Sequence, residues 1–171
     1  IVMQSPQYKL HSTLKAIKRN LLKIFPLVNK DFKIHLCRGT ETVIIEDFDK
    51  EMISELSTLI TLGDEFKHLE AYFKTPFPGR IADLLDNRPL ATVPIRMKDK
   101  ENVEHDYNVE IKGWIGTYTS TRGRKAELTD FPDNFISLYA NQKMGEFNIL
   151  PVVGQNKLPE VYVVGQLHVD I

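Results

Sequence analysis

The stretch HDYNVEIKGWIGTY, residues 105–118, alternates between two sets of side chains along its length. One side carries Tyr107, Val109, Ile111 and Ile115, and the other carries Asn108, Glu110, Lys112 and Trp114. A period of two is typical of a β-strand with two different faces. The sequence therefore predicts a strand here, and the rest of the C-terminal half is organised around it.

Three further segments in this half have strand character: ATVPIRM (91–97), FISLYA (135–140) and VYVVGQLHVDI (161–171). Pro94 places the first of them at a sheet edge, because proline cannot donate to a ladder. The segment 145–157 between the last two is predicted as a loop with a short helical turn. These patterns predict a mixed four-stranded sheet with helical cover, within an α+β protein.

The N-terminal half has mainly helical spacing. Ser5-Pro6 is a good helix start, and Pro26 ends a pattern formed by Leu10, Leu14, Ile17, Leu21 and Ile24. FKIHLC (32–37) and TVIIEDF (42–48), joined through Gly39, predict a β-hairpin.

A second helix is predicted to begin at a cap formed by Asp47 or Asp49 and to end at Gly63. Its apolar face comprises Met52, Ile53, Leu56, Leu59 and Ile60. A short helix around Phe66, Leu69 and Phe73 then runs into TPFPGR (75–80), and IADLL (81–85) is predicted to add one more turn. The expected divisions are residues 1–48, a helical connector at 49–90, and a domain at 91–171.

The bulk composition is that of an ordinary globular protein, with 42% apolar and 26% charged residues. A net charge of −1 gives no general attraction to nucleic acid or acidic membrane. The single cysteine, Cys37, excludes a disulfide within one chain and suits a reducing compartment. Since no apolar run approaches the roughly 20 residues of a membrane span, we expect a cytoplasmic location and no membrane partner.

Sequence motifs for the common mechanisms are absent: GxxxxGK[ST], GxGxxG after a strand, HExxH, CxxC and GxSxG do not occur. We therefore expect no catalytic residue, no metal ligand and no independent active site in this chain. The chain begins at Ile1 without an initiator methionine and closes inside a strand pattern, so we expect it to be part of a longer polypeptide.

Two groups of cations are candidates for contacts with phosphate or nucleic acid. In TSTRGRK (119–125), Arg122, Gly123, Arg124 and Lys125 combine backbone freedom with positive charge, which fits either a phosphate cradle or a solvated hairpin tip. Lys15, Lys18 and Arg19 on the first helix could follow a phosphate backbone. The alternative, which we favour, is that these helix cations pair with the acidic segment 46–70 or with another domain.

Two smaller constellations allow alternatives. His168 and Asp170 share one face of a strand, which fits either a metal or substrate site or, as we favour, a polar outer face. Trp114 and Tyr118 share a face with Lys112 and could stack on bases, but such a stripe is more often packed in a core.

The order NFISLYANQKMGEF (134–147), VVGQ (152–155) and VYVVGQLHVD (161–170) resembles the second domain of GHKL ATPases, above all the MORC branch. The matching positions are Tyr139, Asn141, Lys143, Met144, Val153, Gly154, Val163, Val164, Gly165, Leu167, Val169 and Asp170. MutL proteins and ninety-kilodalton heat-shock chaperones share this two-domain plan. LKAIKRNLLKIFPLVNKDFKIHL (14–36) is similar to the end of the family's ATPase domain.

The resemblance implies a transducer domain with a left-handed βαβ crossover, which couples a neighbouring ATPase domain to conformational change. ATP and Mg²⁺ would belong to that neighbouring domain, and the cationic residue that contacts the γ-phosphate would lie beyond Ile171. The resemblance also implies a homodimer and DNA as possible partners, with TSTRGRK and the basic helix lining a DNA path. The alternatives are a separate nucleic-acid-binding module and a purely architectural interaction domain.

Overall fold

The computed structural model describes residues 13–24, 32–74, 84–120, 132–140, 143–153 and 163–170. The chain divides into two compact units, Ile1–Met52 and Ile53–Ile171. Each unit has its own secondary structure and buried side chains, so the two are described separately.

The first unit begins with helix α1, Leu14–Ile24. Thr13 caps this helix, because the Ala16 N–H donates a hydrogen bond to its Oγ1 at 3.2 Å. Of the predicted apolar face, Leu14 is buried and Ile17 and Leu21 are half-buried. Leu22, which the prediction did not include, is buried as well. The predicted start at Ser5-Pro6 lies outside the described residues.

The predicted hairpin is confirmed, with strands β1 (Ile34–Arg38) and β2 (Glu41–Ile45) pairing antiparallel. Gly39 turns between them at φ +60°, a backbone angle that favours glycine. Helix α2, Phe48–Ile53, follows, and the Lys50 N–H donates to Asp47 Oδ1 at 3.0 Å. Asp47 is therefore the cap of the second helix.

The second unit is built mainly from strands. Its helical elements are a 3-10 turn (Asp64–Phe66), α3 (Leu69–Phe73) and α4 (Leu150–Val153). Its strands are β3 (Leu56–Leu62), β4 (Leu84–Arg88), β5 (Ala91–Lys98), β6 (Glu104–Tyr118), β7 (Phe135–Ala140), β8 (Lys143–Glu146) and β9 (Val163–Asp170).

These strands form one mixed sheet in the order β4-β3-β6-β9-β7-β8, and β5 pairs with β6. The pairs β3–β4 and β7–β9 are parallel, while β6 is antiparallel to β3, β5 and β9. The predicted α+β class and mixed sheet are confirmed. Among the described residues, however, the sheet has seven strands, where the sequence predicted four.

The region expected to be a helical connector contains two of the additional strands. Helix α2 ends at Ile53, and Leu56–Leu62 is strand β3 instead of a continuation of that helix. Leu84–Arg88 pairs in parallel with β3, so Leu84 and Leu85 are not in the predicted turn, whose residues 81–83 lie outside the described residues. The helical predictions were wrong at Leu56–Ile60 and at Leu84 and Leu85, because backbone pairing with neighbouring strands outweighs the local helical spacing of a few leucines and isoleucines.

The core of the second unit lies against strands β3, β6, β7 and β9. Its most deeply buried large side chains are Ile53, Leu56, Leu59, Leu69, Phe73, Trp114, Phe135 and Val164. Burying each such leucine or phenylalanine stabilises the fold by roughly 1.5–3 kcal/mol. Trp114 and Tyr118, considered above for base stacking, are 1% and 4% exposed, which confirms that they pack in the core.

Candidate functional site

Three adjacent strands bring polar and aromatic side chains into one row. His168 on β9 lies directly across from Lys112 on β6 and from Tyr139 on β7. These residues are far apart in the sequence. They form one row only because β9 lies between β6 and β7 in the sheet. We call Lys112, His168, Tyr139 and Asp170, together with Glu65 and Phe66, the Lys112 cluster.

Lys112 joins two carboxylates in this cluster. Its Nζ lies 3.1 Å from Glu65 Oε2 and 3.2 Å from Asp170 Oδ2. It also donates to Glu65 Oε1 at 3.2 Å. Hydrogen bonds to Glu65 and then to Asp170 raise the pKa of Lys112 above its ordinary value. The ammonium group is thus held charged between the 3-10 turn and the end of β9.

His168 is placed between two aromatic rings. Its ring stacks on Tyr139 with centroids 5.0 Å apart and an interplanar angle of 15°, and it contacts Phe66 at 5.3 Å. Tyr139 is 5% exposed, and burial raises the pKa of its hydroxyl to about 12, against a smaller lowering by its hydrogen bond with Ser137. The tyrosine is therefore neutral throughout the physiological range.

The turn that carries Glu65 and Phe66 begins at Gly63. Gly63 has φ +85°, which favours glycine, and its N–H donates to the Arg88 carbonyl oxygen at 2.9 Å. A Cβ at this position would lie 3.4 Å from Lys112 Cβ. Glycine therefore lets the chain leave β3 and pass closely over β6.

A second polar network anchors α3 beyond this turn. The Thr61 hydroxyl donates to Asn87 Oδ1, and Asn87 Nδ2 donates to Glu70 Oε1 at 2.6 Å. Lys74 Nζ donates to Glu70 Oε2 at 3.0 Å, and this bond, followed by the bond from Asn87, lowers the pKa of Glu70. Helix α3 is thereby tied to β3 and β4.

The predicted pair His168 and Asp170 does lie together on β9, as its spacing indicated. Asp170 pairs with Lys112 and His168 stacks on aromatic rings, so both side chains already have partners. Within the described ranges, no group of three or more His, Cys, Asp or Glu side chains is placed to hold a metal ion. With two carboxylates to one lysine, the cluster also has the wrong net charge for a phosphate ligand.

The other members of the cluster were missed at the sequence level. Glu65 and Lys112 are 47 residues apart, and no local spacing connects them. A usable signal was Gly63 followed by two acidic residues and an aromatic residue, which is consistent with a tight turn against a polar strand face.

The cations of α1 differ in exposure and in their ion-pair partners. Lys18 Nζ lies 2.6 Å from Glu51 Oε1, which confirms for Lys18 the pairing with the acidic segment 46–70. Lys15 is exposed, and Arg19 is half-buried and has interactions of its own. Arg122, Gly123, Arg124 and Lys125 lie outside the described residues, so their predicted phosphate or nucleic-acid contacts stay predictions.

A small cleft of about 210 Å³ in the first unit is lined by Lys33, Glu46, Asp47 and Lys50. Lys33 Nζ donates to Glu46 Oε2 at 3.0 Å, and this bond lowers the pKa of Glu46. Because the lining charges cancel and the ion pair is solvent-exposed, the cleft carries no net attraction for a charged ligand.

In the part of the chain that the structure describes, no helix is both long enough and apolar enough to cross a bilayer.

No protein-family model matches the chain. No curated protein and no solved structure is significantly similar to it either. The resemblance to GHKL ATPases therefore remains a prediction.

Proposed function

We propose that this chain forms the end of the ATPase domain and the transducer domain of a GHKL-type ATPase. In this role it has no catalytic residue of its own. It couples ATP binding and hydrolysis in a neighbouring domain to a conformational change. ATP and Mg²⁺ bind to that neighbouring domain, and the location is cytoplasmic.

The observation that supports this proposal is the assembly of two segments of the resemblance into adjacent strands. Phe135–Ala140 pairs in parallel with Val163–Asp170, which pairs antiparallel with β6. The VVGQLHVD strand therefore lies inside the sheet, with hydrogen-bonded neighbours on both sides. Because β9 is paired on both sides, a movement at its C-terminal end, beyond which the γ-phosphate-contacting residue is expected, would be passed to β6 and β7.

The mechanism is a shift between two conformational populations. ATP would stabilise one arrangement of the end of β9, and hydrolysis would favour the other. Because β6 and β7 flank β9, a displacement of its end changes the row Lys112, His168 and Tyr139 on all three strands. The coupling energy is the difference in free energy between the contacts made in the two arrangements.

Two measurements test the proposal. The 171-residue chain should hydrolyse ATP with Mg²⁺ at no rate above background, far below the roughly 1–1000 s⁻¹ of ordinary enzymes. In the longer polypeptide, amide exchange in 163–170 and in its neighbours should differ between a non-hydrolysable ATP analogue and ADP. Hydrolysis by the 171-residue chain at an enzymatic rate, or identical exchange in both nucleotide states, would contradict the proposal.

Action on DNA is a further component of the proposal. It derives from the resemblance and from the cations of 119–125 and α1. Lys18, one of these cations, has its charge neutralised by Glu51 at 2.6 Å. A DNA path would therefore depend mainly on Lys15 and the 119–125 segment.

A further inference from the structure

The chain segment after β3 crosses the sheet instead of leaving it. In the sheet order, β6 lies between β3 and β9. Glu65 contacts Lys112 on β6, and Phe66 contacts His168 on β9. Residues 63–67 therefore reach from the end of β3 over β6 to β9.

We infer that residues 63–67 are a strap that holds the C-terminal end of β9, and that opening of the strap is coupled to movement of that end. Lys112 is the shared link, because the same ammonium group binds Glu65 in the strap and Asp170 in β9. The ring contact between Phe66 and His168 is a second link. Control of the strap by nucleotide rests on the proposed function, in which the end of β9 moves when ATP is replaced by ADP.

The strap is held weakly enough to open by itself. Its 3-10 turn contains no buried residue, and the side chain of Glu65 is 69% exposed. Segments with few buried apolar contacts open with free energies far below that of global unfolding. Gly63 is buried and its N–H is bonded to the Arg88 carbonyl oxygen, so it is the end at which the strap stays attached.

The elements on both sides of the strap are held much more firmly. Leu69 and Phe73 of α3 are each 1% exposed, and Glu70 is bound by Asn87 and Lys74. On the other side, β3 is paired along its length with β6. Opening is therefore confined to residues 64–67, and it uncovers Lys112 and His168.

The link is tested by amide exchange on the 171-residue chain. Lys112→Met should accelerate exchange in both 64–67 and 167–170, by about three- to tenfold, because it removes both ion pairs at once. Phe66→Ala should also accelerate exchange in 167–170, although it leaves β9 itself unchanged. The free energy of unfolding of each variant, measured in urea, identifies any variant that has lost its overall fold.

Asp64→Asn is the matched control. Asp64 pairs with Lys67 at 2.6 Å within the same turn and makes this contact without reaching β6 or β9. Because Asp64 is 91% exposed, its ion pair contributes little to holding the strap, so the variant should leave exchange in 167–170 nearly unchanged. The inference is overturned if Lys112→Met accelerates one segment without the other, or if Asp64→Asn affects 167–170 as strongly as Lys112→Met.

The regulatory use is tested in the longer polypeptide. Exchange in 64–67 should differ between the ATP analogue and ADP, and Lys112→Met should abolish that difference. If nucleotide changes exchange elsewhere in the chain but not in 64–67, the strap has no regulatory use while the proposed function stands. If nucleotide changes exchange nowhere, the proposed function fails, while the link measured on the 171-residue chain is unaffected.

Discussion

Gly113 on β6 lies directly against the backbone carbonyl oxygen of Gln166 on β9. A Cβ at position 113 would overlap that oxygen, and the residue also has φ +142°. β6 and β9 can therefore pair along their shared length only with glycine at this position. The residue next to Lys112 thus fixes how closely the two strands of the cluster approach each other.

Gly113→Ala is predicted to lower the free energy of unfolding by about 2–5 kcal/mol, from backbone strain and from the clash with β9. Gly145→Ala is the control, because its Cβ would come no closer than 3.7 Å to another atom. The control should stay within about 0.5 kcal/mol of the parent chain. Urea denaturation measures both, and equal effects would show that the close approach at Gly113 is unimportant.

Leu59→Ala is predicted to destabilise the second unit by about 2–5 kcal/mol, because Leu59 is 0% exposed and its removal leaves a cavity. Leu84→Ala, on the paired strand β4, should cost much less, since Leu84 is 55% exposed. The same denaturation experiment compares them. A larger effect for Leu84 would contradict the position of β3 in the core.

The raised pKa of Tyr139 predicts that the folded chain loses stability at high pH. Burial raises its pKa to about 12 in the folded chain, from 10.0 when exposed. The neutral tyrosine is therefore favoured by folding, and this contribution is complete below pH 10 and is lost as the pH rises from 10 to 12. The loss is at most about 2–3 kcal/mol. Tyr139→Phe should remove this part of the pH dependence, and an unchanged profile would refute the assignment to Tyr139.

DNA binding, if the chain shows it, should depend unequally on its cations. Arg124→Ala combined with Lys125→Ala is predicted to reduce the slope of log K against log salt by about 1.8. Lys18→Ala should change the slope little, because Glu51 already neutralises Lys18. Fluorescence anisotropy with a labelled duplex measures the slopes. No binding at low salt would remove DNA from the proposal.

Clear alternation made β6 predictable from sequence, whereas the helical spacing of its apolar residues concealed β3. β6 alternates and was identified along with β5, β7 and β9. In LSTLITL, Leu56, Leu59 and Ile60 have helical spacing, but β3 is buried or half-buried at every position. A strand covered on both faces shows no polar face, so periodicity cannot distinguish it from a helix.

The candidate site was predictable within single elements and not between them. His168 and Asp170 were placed on one face of a strand, because their two-residue spacing fixes that relationship. Their partners Lys112, Glu65 and Phe66 come from distant parts of the sequence and meet through strand order. Strand order depends on the whole sheet, and no local pattern encodes it.

The position of β9 has a consequence for synthesis of the chain. β9 is the last of the described strands to leave the ribosome, and it is inserted between β6 and β7, which are made earlier. At bacterial or eukaryotic rates, about 3–10 s separate the synthesis of Tyr118 from that of Asp170. During that interval the nascent chain exposes strand edges on both β6 and β7, which is when aggregation or chaperone capture is favoured.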